Sequence, residues 1–286
     1  MKQMKIPIAI LFSIIVILSA ISPALAATPQ ISMGPRIQTD FTSSSTNWAG
    51  YAITGASGSV TSVSGSWIVP TVSAIASTPT AYSAFWVGID GFTSSTVEQT
   101  GTLSYTVNGV VQSPYAWFEF YPNPMYQIIT ATITGTNIPV AATVTPGDVM
   151  SATVNFVSSS TTTSKHSVTV NDVFSVTISD TSVGWTFSTQ GTVPNAAMSS
   201  AEWIAEAPSS STGVLPLANF GTVYFTNSYA TSNTVNLPIG NFGSSVNQIN
   251  MVGISGHGRI ATSYTKAITS GLSTDGTSFN VAWIHA

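Results

Sequence analysis

Ala201-Glu202-Trp203-Ile204-Ala205-Glu206 decides how the rest of the chain is read. Successive side chains of a β-strand point to opposite faces. Written as a strand, this run puts Glu202 and Glu206 on one side and Trp203 and Ala205 on the other. Two further runs have the same design. In Trp117-Phe118-Glu119-Phe120-Tyr121, Trp117, Glu119 and Tyr121 share a face and both Phe residues take the opposite one. In Phe85-Trp86-Val87-Gly88-Ile89-Asp90, Trp86 and Asp90 lie opposite Phe85, Val87 and Ile89. An ionised carboxylate buried without a partner is costly. The economical arrangement is therefore a sheet with an apolar inner face and a concave outer face that is a polar and aromatic cleft.

Outward from these runs, the chain from Asn47 onward is a series of short segments rich in Val, Ile, Thr and aromatic residues, cut by Gly, Pro and Asn. This is strand-and-turn punctuation. Further strands are expected at Ser59 to Val69, Val149 to Val157, His166 to Ile178, Thr222 to Thr226 and Asn280 to Ile284. Asn108-Gly109 between alternating runs marks a tight hairpin. Ser158 to Ser164 reads as a loop, and no convincing helix follows the first residues. So many short antiparallel strands predict an all-β, two-layer antiparallel β-sandwich of the concanavalin or jelly-roll kind, with a barrel as the alternative.

Lys2 and Lys5 precede an uncharged apolar run from Ile6 to Ile21, and Ala24-Leu25-Ala26 supplies a small-x-small pattern. Residues 1–26 thus read as a secretory signal peptide, with an uncleaved anchor as the alternative. Residues 27–45 read as a linker or short propeptide, and 46–286 as one sandwich domain. The chain has no cysteine, so it offers neither disulfides nor a thiolate. Charged residues are 6% of the chain, with six Lys and Arg against ten Asp and Glu. So few cations argue against nucleic-acid or membrane-surface partners, and in acid they limit the self-repulsion that unfolds proteins. After removal of the leader the expectation is a secreted monomer with no stable membrane association.

Carboxylates gathered in a cleft have their pKa values pushed apart, as general acid and base chemistry requires. The alternative is that they are solvated or paired and do no chemistry. His257, in Gly256-His257-Gly258, has no serine-triad pattern near it, and the dispersed histidines form no metal-ligand spacing, so neither a metal nor a cofactor is expected. Two carboxylates across an aromatic cleft also suit glycoside hydrolysis, with Glu119 and Glu206 as the pair. A non-catalytic secreted binding or surface sandwich is a third reading.

Seven blocks, in order, resemble the glutamic peptidases, or eqolisins. They are Asn47-Trp48-Ala49-Gly50 with Gly55, Gly65 to Pro70, Phe85 to Gly91, Glu98-Gln99-Thr100-Gly101, Ala116 to Pro122, Ala201 to Glu206, and Phe220 through Phe225-Thr226. The resemblance implies a β-sandwich endopeptidase that cleaves polypeptides in acid with a catalytic Gln99 and Glu206 pair. It implies that Trp86, Asp90 and Glu119 line the site, with Trp117 and Tyr121 as apolar walls. Glu206 would be the base and then the acid; Gln99 would stabilise the oxyanion. Two acids of the family pattern are matched by Leu103 and Tyr115, and the disulfides of fungal members are absent.

Overall fold

The computed structural model describes residues 30–39, 44–165, 167–256 and 262–286. The signal-peptide expectation and His257 lie outside them. The longer strands, numbered in chain order, are β1 Trp48–Thr54, β2 Val60–Ile68, β3 Ala81–Ile89, β4 Val97–Val107, β5 Tyr115–Tyr121, β6 Val149–Thr163 and β7 Val168–Asp180. They continue with β8 Trp185–Pro194, β9 Ser200–Glu206, β10 Thr222–Ser232, β11 Val246–Ser255, β12 Thr262–Thr269 and β13 Phe279–Trp283. Among the described residues the only helix is a short 3-10 turn, Ile239–Ser245. None is long and apolar enough to cross a membrane.

These strands form a two-layer antiparallel β-sandwich, as expected. One layer runs β5-β4-β3-β9-β1-β11. The other runs β8-β7-β6-β2-β10-β13-β12-β11, so β11 pairs in both layers. The alternation read from the sequence decides which side chains meet between them. Phe85, Val87 and Ile89 of β3 and Ala201, Trp203 and Ala205 of β9 face inward. They join Val63 and Trp67 of β2, Val154 of β6 and Phe174 of β7 in the main core.

The outward face of the first layer carries a second apolar cluster of Trp48, Ala84, Trp86, Val97, Leu103, Trp117 and Ile204. That is the aromatic cleft expected from parity. Fully burying such a side chain is worth roughly 1.5–3 kcal/mol, so this face holds together as a floor rather than a loose rim.

Two expectations are corrected. Ser158 to Ser164 is no loop up to Thr163: β6 continues past a bulge at Phe156/Ser158 and pairs with Val168–Val173 of β7. Exposed Ser and Thr there satisfy a long hairpin ladder that needs no core beneath it. The second concerns Asp90. Strand β3 ends at Ile89, and Asp90 takes a left-handed backbone with φ 70°, so parity cannot be carried to it. The Asn108-Gly109 turn is present, with positive φ at both residues.

Candidate active site

Register across the first layer lays the outward side chains in rows. Glu119 of β5, Gln99 of β4, Gly88 of β3 and Glu202 of β9 form one row. The next holds Trp117, Gly101, Trp86 and Ile204, and the third Tyr115, Leu103, Ala84 and Glu206. Gln99 and Glu206, far apart in sequence, thus share one face of one sheet. The glycines are what lets Trp86 lie down between them. A Cβ on Gly101 would stand 2.5 Å from Trp86 Cβ, and one on Gly88 2.9 Å from its Cζ3.

Glu206 is fully buried. Trp86 Nε1 donates to its Oε2 at 2.8 Å and Asn47 Nδ2 approaches Oε1 at 3.4 Å. Burial pushes its pKa well above the ordinary Glu range and the nearby Glu119 charge adds to this, opposed by the Trp86 and Asn47 hydrogen bonds. Gln99 Nε2 donates to Glu119 Oε2 at 3.2 Å and also to the Met33 carbonyl. Its Oε1 is buried and accepts no hydrogen bond from the described residues. Glu119 accepts from Ser32 Oγ at 2.8 Å and Met33 N at 2.9 Å, besides Gln99. Burial raises its pKa to about 8 against the pull of those donors.

Trp117 lies fully buried in the cleft floor and Tyr121 is half-buried at its edge. A groove of ≈ 440 Å³ beside Tyr121 is lined by Ser32, Gly34, Pro35, Pro122 and Ser209. Among the described residues Asp90 makes no hydrogen bond to Gln99. Its carboxylate accepts from Met198 N at 2.7 Å, Ser199 N at 2.9 Å and Ser199 Oγ at 3.2 Å, tying two loops together. Leu103 occupies the Glu206 row and joins the apolar cluster of the cleft.

Sequence reasoning gave no role to Asn47, Ser32 or Met33. Asn47 is 1% exposed and bridges Glu206 to the chain before β1. Its signal was a polar residue directly before a strand that opens on Trp48. Nothing in residues 30–39 marks them as part of a site, since their contacts are made chiefly through the backbone.

Against known proteins, the chain is 34% identical to aspergillopepsin-2 of Aspergillus niger over 204 residues, 64% of this chain and 64% of that protein's length. Its fold matches scytalido-glutamic peptidase bound to a transition-state analogue inhibitor, with a TM-score of 0.56, 21% identity and cover of 84% of this chain and 98% of that one. An eqolisin peptidase in complex with the tripeptide Ala-Ile-His matches with a TM-score of 0.57 and 20% identity over the same shares of the two chains. These two likenesses carry the fold. Membership rests on the sequence model for the Peptidase A4 family, which matches residues 46–274 and so takes in every strand of the cleft: the chain belongs to the Peptidase A4 family.

Proposed function

We propose that this chain is a secreted endopeptidase that hydrolyses polypeptides in acid, with Glu206 as general base and then acid and Gln99 as the oxyanion donor. The observation that carries the reading is how the cleft meets a peptide. Gln99 Nε2 donates to the Met33 carbonyl, and Asn47, in contact with Glu206, donates to the Pro35 carbonyl at 3.1 Å.

The chemistry follows from the donors. Ionised Glu206 takes a proton from a water, which attacks the scissile carbonyl; the Gln99 Oε1 acceptor helps hold that water. The Gln99 amide faces the negative oxygen that develops, and it is neutral at every working pH. Protonated Glu206 then gives its proton to the leaving nitrogen, and the peptide bond is broken. Glu119 orients the Gln99 amide so that Nε2 is presented to the carbonyl. In the filled cleft, burial favours the neutral form of Glu206; water admitted to the cleft restores part of its hydration and shifts its pKa back down.

The glycosidase reading is weaker, because both Glu119 oxygens are engaged by Ser32, Met33 and Gln99. Secretion follows from the charged and apolar pattern of residues 1–26, and polypeptides are the substrate class; no cofactor enters the scheme.

The test is cleavage of denatured casein at roughly pH 3 to 4, near the ordinary Glu pKa. Cleavage should persist with pepstatin, chelators and serine-protease reagents. Glu206→Gln should abolish it, and Gln99→Ala should slow it by about 10²–10³-fold, the cost of one oxyanion donor. Full activity in either variant removes the pair from the mechanism. Hydrolysis of a β-glucan or xylan but of no protein would favour the glycosidase.

A further inference from the structure

Residues 30–39 cross the cleft, and beside the Ser32 hydroxyl on Glu119 and the Arg36 Nε on the Phe92 carbonyl they meet it chiefly through the backbone. Ser32 exchanges hydrogen bonds with Ser209 in both directions, each 2.9 Å, as one strand does beside another. Met33 N donates to Glu119 and Met33 O accepts from Gln99. Pro35 O accepts from Asn47, Arg36 N donates to Gly91 O at 3.0 Å, and Ile37 N donates to Asn47 Oδ1 at 2.8 Å. A groove that reads main chain at successive residues and takes only selected side chains is one built for peptides.

Two side chains are driven deep. Met33 is 0% exposed and joins Trp48, Trp86 and Trp117 in the cleft cluster. The Arg36 guanidinium lies 3.8 Å from the Phe92 ring centroid. A passive linker would do neither. It would also have no reason to lay one of its carbonyls on the amide that the proposed chemistry aims at a scissile carbonyl. Gly34 follows Met33 and passes Tyr121, where even an added Cβ would find only a 3.8 Å contact with the ring. The pocket beside Gln99 therefore holds a long, unbranched, flexible apolar side chain, and the residue after it lies against an aromatic wall.

We propose that residues 30–39 are a built-in peptide ligand of the catalytic groove: they keep the folded chain latent, and the pocket that Met33 fills selects unbranched apolar side chains at the substrate residue whose carbonyl meets Gln99. The substrate half rests on the peptidase reading above, whereas occupancy of the groove does not. While the segment is in place, a substrate cannot reach Gln99; when it leaves, the contacts it surrenders are those a substrate takes up. Because the occupant is tethered, its effective concentration is of order millimolar, enough to hold a groove that binds free peptides only weakly.

The experiment uses the full secreted chain, its N-terminus verified by intact mass, beside Met33→Asp and the milder Met33→Ala, with melting temperatures to show that each folds. Two readouts are taken: hydrogen exchange of the peptide spanning residues 30–39, and the rate and sites of casein cleavage. In wild type the Met33 amide should be protected. Met33→Asp, which sets a carboxylate among Trp rings beside Glu119, should lose that protection and cleave at least about tenfold faster, with Met33→Ala between the two. A synthetic peptide of residues 30–39 should inhibit Met33→Asp, its own Met33→Asp version should not, and products should show Met before the cut in preference to Val, Ile, Leu or Phe. Equal exchange in wild type and both variants, or a wild-type chain that keeps residues 30–39 and cleaves as fast as Met33→Asp, overturns the proposal. Release of the segment in the variants with no cleavage of any protein would instead leave groove occupancy standing and sink the peptidase reading together with the substrate preference.

Discussion

Raising the pH from about 4 to 8 should unfold this protein's advantage rather than build it, and Glu119 sets the scale. In the unfolded chain this carboxyl titrates near 4.5; in the cleft, burial raises it to about 8. Its folded-state pKa lies above its unfolded value, so the native state binds the extra proton. The stability this contributes is fully present below 4.5 and is lost as pH rises through 8. At about 1.4 kcal/mol for each pH unit, Glu119 alone accounts for about 5 kcal/mol across that window. A chain of this size shifts its melting temperature by about 2–4 °C per kcal/mol, so the fall from this one group is roughly 10–20 °C. Burial also raises Glu206, Glu202, Glu98 and Asp90, all in the same direction. The assay is thermal unfolding by circular dichroism from pH 3 to 8, for wild type and Glu119→Gln. Glutamine keeps an acceptor for Met33 or Ser32 but has no proton to lose, so the variant's curve should fall less by the Glu119 share. A wild-type melting temperature that is flat or rising between pH 4.5 and 8 would refute the reasoning, as would a variant with an undiminished fall.

Two other substitutions separate support from chemistry. Trp86→Phe removes the donor to Glu206 Oε2, so the acid limb of the cleavage profile should move to higher pH and stability should drop by about 1–2 kcal/mol, read from pH–rate and denaturant curves. Asp90→Ala strips the Met198 and Ser199 amides of their acceptor and should cost about 1–3 kcal/mol of stability while leaving the shape of the pH–rate profile unchanged, because that carboxylate does not touch Gln99 or Glu206.

The site was legible in part because a strand's two-residue period is a strict constraint. Once β9 and β5 are strands, Glu206, Glu119 and Trp117 have no freedom over which side they occupy. The same rule failed at Asp90 for a local reason: a positive φ ends the alternation at the Asp90-Gly91 step, a turn signal that parity alone does not weigh. It also misread Ser158 to Ser164, where polar residues run on as a solvent-exposed hairpin whose ladder, not burial, sustains it.

What the sequence determined by itself was the all-β class, the inward and outward faces of the three strands that carry the acids, and which few carboxyls had to be accounted for. Burial costs and side-chain alternation act locally, and residues a few positions apart suffice to express them. Only the tertiary structure decided which strands became neighbours, and so that Glu119, Gln99, Gly88 and Glu202 stand in one row while Glu206 lies two rows away, under the Trp86 indole. It alone brought the Met33 backbone onto Gln99 and Glu119, because a main-chain hydrogen bond between residues so distant in the chain leaves no trace in side-chain pattern.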